Sequence, residues 1–115
     1  VFYELLTRRQ DDQINNVAIL RLEQIYPFPL ELLKSELAKY PNTKDLIWCQ
    51  EEPINQGAWY TSRHNFMQCT AENQILDVVA RDLYSAPAEG SVRQHNLNQN
   101  YVIEQALGLQ PVKQR

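Results

Sequence analysis

The sequence predicts an α/β domain in three layers, α/β/α, built on a mostly parallel sheet. Two observations predict it. Segments with helically spaced apolar residues alternate with short strand-like runs in the order α-β-α-β-α-β-α. Such alternation implies parallel strands joined by right-handed crossovers, with helices on the sheet's faces. The runs have the composition of buried strands: VAILRL (17–22) is apolar almost throughout, DLIWCQ (45–50) is a second such run, and ILDVVA (75–80) is rich in β-branched residues. At 115 residues the chain is one domain with room for a single core. Residues 1–109 read as that domain, and 110–115 as a polar, frayed tail.

Phe2, Leu5, Leu6 and Arg9 recur at helical spacing, predicting a helix over 2–9. Asp11, Asp12, Asn15 and Asn16 make a polar turn before the first strand, 17–22. Pro27 and Pro29 close the next loop, and a helix over 30–39 follows, with Leu30, Leu33 and Leu37 on one side. Proline suits a helix entry because its missing N–H has no partner there in any case. The turn YPNT leads to the strand 45–50. Pro53 ends the polar run after it, Gly57 allows a sharp turn, and a helix over 58–69 brings Trp59, Arg63, Phe66 and Met67 towards one face. After the strand 75–80, the loop 81–91 carries Pro87 and Gly90. Ser91 is the expected N-cap of a last helix, 92–107, which Gly108 closes. Leu97, Tyr101, Ile103 and Leu107 fall on about half of that helix and are expected to pack. The chain opens on a helix where such domains open on a strand, so a strand is expected just upstream of Val1.

Eleven basic residues against fourteen acidic ones, with no basic run, exclude a nucleic-acid footprint. No apolar stretch approaches the ~18 residues of a membrane span, and no signal peptide is recognisable. Cys49 and Cys69 lie twenty residues apart, with neither metal-site nor redox spacing, and suit a reducing, cytosolic compartment. The sequence has no serine elbow and no metal-ligand spacing. With three glycines it has no phosphate-cradling loop or dinucleotide fingerprint. No catalytic, cofactor-binding or metal-binding residue is assigned.

A parallel sheet gathers its strand-to-helix loops (23–29, 51–57 and 81–91) at one carboxyl edge. Ligands of open α/β folds bind at this edge, and helix N-termini add partial positive charge there. The densest stretch is WCQEEPINQGAW (48–59): adjacent carboxylates, three amides and two indoles in twelve residues. Its Gln50, Glu51, Glu52, Asn55 and Gln56 are effector or interface candidates, together with Arg81, Ser85 and His95. Glu51 and Glu52 are sequence neighbours and cannot face one acceptor as an acid/base pair; the simpler reading is one solvated and one paired with an arginine. Arg81 either grips a phosphate or carboxylate or pairs with Glu51, Glu52 or Asp82. His64 reads as a surface or satisfied histidine, and His95 as a hydrogen-bond donor to a loop before a base. Trp48, Trp59 and the Tyr26-Pro27-Phe28 corner read as packing.

The segments VFYELLTRR, VAILRLEQIYPFP, WCQEEPINQGAW and RDLYSAPAEGS, followed by His95 and Gln99, occur in an order and spacing that resemble the C-terminal domain of the thiamine-dependent first component of 2-oxoglutarate dehydrogenase. The resemblance covers essentially the whole chain, and YPFP and GAWY are closer to the bacterial form. HNLNQNYVIEQAL departs from it, where relatives begin the helix with more Gln and Lys. The resemblance implies a transketolase-like C-terminal domain, its first strand missing, within a homodimer that decarboxylates 2-oxoglutarate and passes succinyl to the lipoyl arm of a dihydrolipoyl succinyltransferase in the tricarboxylic acid cycle. Thiamine diphosphate and magnesium would be held by upstream domains. The compartment would be the bacterial cytoplasm, or the mitochondrial matrix in a eukaryote. The alternatives are an effector-binding module of the AMP or acetyl-CoA type, or the same domain of a related 2-oxoacid dehydrogenase.

Overall fold

The computed structural model describes residues 1–81 and 92–113, with side chains from Asn96 onward in the last helix. Its elements are α1 (Phe2–Asp11), α2 (Leu30–Leu37), β1 (Asp45–Pro53), α3 (Trp59–Gln68), β2 (Ile75–Arg81) and α4 (Val92–Ala106). The strands β1 and β2 are parallel and pair from Asp45 with Ile75 to Cys49 with Val79. The register then slips before Pro53 meets Arg81, so β1 runs beyond the expected Gln50 through both glutamates.

The two faces of this sheet are covered by different helices. On one, Trp48, Leu76, Val78 and Ala80 meet Trp59 and Phe66 of α3, Leu33 of α2 and Phe28. Phe66 is the hub: Trp48 stacks on it at 4.7 Å between ring centroids, and Phe28 meets it edge-on at 5.2 Å. On the other face Cys49 joins Leu5 of α1 with Ile103 and Leu107 at the end of α4. The expected α/β class, helices on both faces and parallel pairing are all present.

The strand expected at 17–22 does not form. Among the described residues β1 pairs only with β2, and 17–22 has no ladder partner, without which extended backbone is not a strand. The segment is held to α1 instead. Arg9 Nη1 donates to the Val17 carbonyl at 3.0 Å, and the Arg21 guanidinium lies 5.0 Å from the centre of the Phe2 ring.

Two helix faces differ from expectation. Ser62, fully buried, completes the inner face of α3 with Trp59 and Phe66, whereas Met67 is exposed. Along α4 the inner face is Gln99, Val102 and Ile103, while Leu97 and Tyr101 are 54% and 47% exposed. In α2 the expected side holds: Leu30, Leu33 and Leu37 are half-buried, while Glu31, Leu32 and Lys34 are exposed. Gly108 closes α4 as expected: at φ +80° its N–H reaches the Gln105 carbonyl, and the Leu109 N–H reaches that of Glu104, the paired bonds of a left-handed helix stop. The tail is tied rather than frayed at Lys113, whose N–H donates to Gln105 Oε1 at 2.8 Å.

Candidate functional site

The carboxyl edge of the sheet contains two polar constructions. The first is the loop after β1, braced from inside by Gln50. This side chain is buried, and its carboxamide is engaged in every direction. Oε1 accepts the Trp48 indole N–H at 2.9 Å, while Nε2 donates towards the carbonyls of Glu52 (3.2 Å), Pro53 (2.9 Å) and Gln56 (2.7 Å). The two N–H groups of one amide are thus shared among three loop carbonyls. Gly57 lets the chain turn around it. Its φ is +73°, and a Cβ there would sit 3.0 Å from Gln50 Oε1. Ile54 tucks beneath, its N–H bonded to the Arg81 carbonyl at 2.9 Å.

The second construction joins four elements through Gln99 of α4. Arg81 Nη2, at the end of β2, donates to Gln99 Oε1 at 2.8 Å. Gln99 Nε2 faces Glu4 Oε1 of α1 at 3.1 Å and Glu51 Oε1 of β1 at 3.4 Å. The Val1 amino group closes the circuit on Glu51. That contact holds the Glu51 carboxyl below its ordinary range, helped by Gln99 and Arg81 and opposed by partial burial.

The candidate residues therefore divide. Glu51, Arg81 and the unforeseen Gln99 and Glu4 come together, but the ion pair of Glu51 in this chain is with the Val1 amino group and not with the expected arginine. Glu52 is exposed, as are Asn55 and Gln56, whose described role is the Gln56 carbonyl. Gln50 serves the loop's interior. Ser85, the rest of the loop 82–91, the Ser91 cap and the His95 side chain lie outside the described residues. The signal for Gln99 was its position: a polar residue three and four places before Val102 and Ile103, hence on their face of the helix.

These groups do not fit thiamine diphosphate or magnesium. A diphosphate wants free N–H groups in an open glycine turn, and the space beside Gly57 is filled by Gln50. A magnesium ion wants free carboxylates, and Glu4 and Glu51 already face Gln99. Burial pushes the Cys49 thiol up to about 12, so it is no nucleophile.

The family model described as "2-oxoglutarate dehydrogenase C-terminal" matches residues 1–107. Over 109 residues the chain is 46% identical to the 2-oxoglutarate dehydrogenase E1 component of Coxiella burnetii, covering 93% of this chain and 12% of that protein. Its identity to the E1 component of Haemophilus influenzae is 44%, over 93% of this chain and 11% of the relative. For Rickettsia prowazekii the figures are 37%, 100% and 12%. The chain thus spans about an eighth of the length of these relatives.

Proposed function

The chain belongs to the 2-oxoglutarate dehydrogenase C-terminal family, and on that premise we propose that it is a non-catalytic, architectural domain of an E1 component. The enzyme it serves decarboxylates 2-oxoglutarate oxidatively and hands the succinyl group to a dihydrolipoyl succinyltransferase. Thiamine diphosphate and magnesium are held by domains upstream in the same polypeptide, and no step of the chemistry runs through these residues. The enzyme works as a homodimer in the cytoplasm.

One observation carries the architectural role. At the carboxyl edge, where a reaction centre would be expected, Gln99 of α4 links Arg81 of β2 with Glu4 of α1 and Glu51 of β1. The circuit instead fixes the relative positions of four elements, which is what an interface or an effector-responsive surface needs.

Arg81→Ala in the complete E1 polypeptide tests this reading. Loosened dimer assembly in sedimentation, or an altered effector response, is expected, with single-turnover decarboxylation retained. A dimeric, normally regulated variant that has lost single-turnover chemistry would overturn it.

A further inference from the structure

Arg81, the last residue of β2, serves two structures at once. Its carbonyl accepts the Ile54 N–H at 2.9 Å, which closes the loop after β1. Its guanidinium Nη2 donates to Gln99 Oε1 of α4 at 2.8 Å. The backbone of one residue holds the loop, and its side chain holds the helix.

The ladder is irregular at this point. Regular pairing runs from Asp45 with Ile75 to Cys49 with Val79, and the register slips before Pro53 meets Arg81. Pro53 has no N–H to donate, so the bond to the Arg81 carbonyl comes from Ile54. A bulge disrupts the ladder locally. A side-chain tether therefore does more to fix a strand end beyond it than one inside a regular ladder. Both ends of the tether are buried, Ile54 being 7% and Gln99 8% exposed. A hydrogen bond left unmade in such surroundings is costly, so loosening one end favours loosening the other.

A second tie runs in parallel. Glu51 opens the same loop, and its Oε1 lies 3.4 Å from Gln99 Nε2, which also faces Glu4 of α1. The loop 51–57 thus reaches Gln99 twice, directly at Glu51 and through Arg81 at Ile54. Gln50 braces it from inside, while the Glu52, Asn55 and Gln56 side chains stand exposed on it.

We propose that Arg81 and Gln99 form a joint through which the loop 51–57 opens and closes together with the seat of α4 on α1. Local opening of this kind couples distant groups without a change of fold. A partner or effector that meets Glu52, Asn55 or Gln56 and holds the loop closed would tighten α4 against α1. Loosening at Gln99 would release the loop by the same factor, because such coupling is reciprocal. As regulation of the carboxyl edge this rests on the architectural reading, while the joint itself is tested without the E1 assembly.

Amide exchange in the 115-residue chain, with three variants, provides that test. Gln99→Leu and Arg81→Met break one hydrogen bond from its two ends and keep the Arg81 carbonyl. Ile103→Val trims the buried face of α4 without touching the joint. The Ile54 amide is expected to exchange at least roughly tenfold faster in both joint variants, as for a lost hydrogen bond to a charged group. In Ile103→Val it is expected to keep its original rate. Either joint variant decides alone if the other does not fold. An unchanged Ile54 amide in a folded joint variant would overturn the proposal. So would equal acceleration in all three, which would make Gln99 a stabiliser of the whole domain and no joint. Neither result bears on the architectural role, which assembly and single-turnover chemistry of the complete polypeptide decide.

Discussion

Replacing Gly57 with alanine probes the brace that shapes the carboxyl edge. The substitution forces a side chain into the left-handed region, at about 1–2 kcal/mol. It also puts a Cβ 3.0 Å from Gln50 Oε1 and 3.2 Å from its Cδ and Nε2. Gln50 cannot easily retreat, being 3% exposed and bonded to Trp48, Glu52, Pro53 and Gln56. Losing two of those bonds at about 1 kcal/mol each brings the total to about 3–4 kcal/mol. Gly108→Ala is the natural control: its φ is +80° and no atom lies within 4 Å of the new Cβ, so it carries the backbone strain alone. The two variants should differ by about 2 kcal/mol, a large part of the ~5–15 kcal/mol of a domain, and by about 8–16 °C in melting temperature. Urea unfolding followed by tryptophan fluorescence measures both, and Trp48 reports on the brace directly. Equal destabilisation by the two substitutions would refute the claim that Gln50 holds the loop.

Three further outcomes are expected. Gln99→Leu removes the acceptor of Arg81 and the amide facing Glu4 and Glu51, and should cost about 1–3 kcal/mol in denaturant unfolding, whereas Leu97→Gln on the exposed side of α4 should be near neutral. Because the Glu51 carboxyl is depressed in the folded state, its stabilising contribution is complete above the ordinary value near 4.5 and is lost as pH falls through the folded value; acetylating the Val1 amine should shift its NMR titration midpoint upward, and an unchanged midpoint would contradict the pairing. Cys49, with its thiol pushed up to about 12 by burial, should resist alkylation at pH 8 in the native chain while the less buried Cys69 reacts first; the reverse order would show β1 open to solvent.

Much of the fold was legible where packing follows hydrophobicity. The runs 45–50 and 75–80 are strands, and Trp48, Trp59, Phe28 and Phe66 are one aromatic core. Gly57 and Gly108 both take the positive φ that their turns need. The segment 17–22 was misread because a strand is a relation and not a composition: its residues have the right pattern, but among the described residues no neighbour is paired to them. Of the face expected to pack on the last helix, Ile103 and Leu107 do so, while Leu97 and Tyr101 do not. Gln99 and Gln105 are buried because each finds partners inside, in Arg81 and the Lys113 N–H, and that turns Leu97 and Tyr101 outward. Glu51 and Arg81 were recognisable from the topology that gathers strand ends. The part of Gln50 was not, because an amide that braces a loop and an amide that meets a ligand look alike in sequence.

The architectural role is tested most directly by the 115-residue chain alone, once circular dichroism has shown it folded. Calorimetric titration with thiamine diphosphate and magnesium is run beside an assay of 2-oxoglutarate decarboxylation. No saturable binding and no turnover above the blank are expected, because Gln50 fills the glycine turn and Glu4 and Glu51 are already engaged. Micromolar binding of the cofactor, or measurable decarboxylation by this chain, would contradict the account.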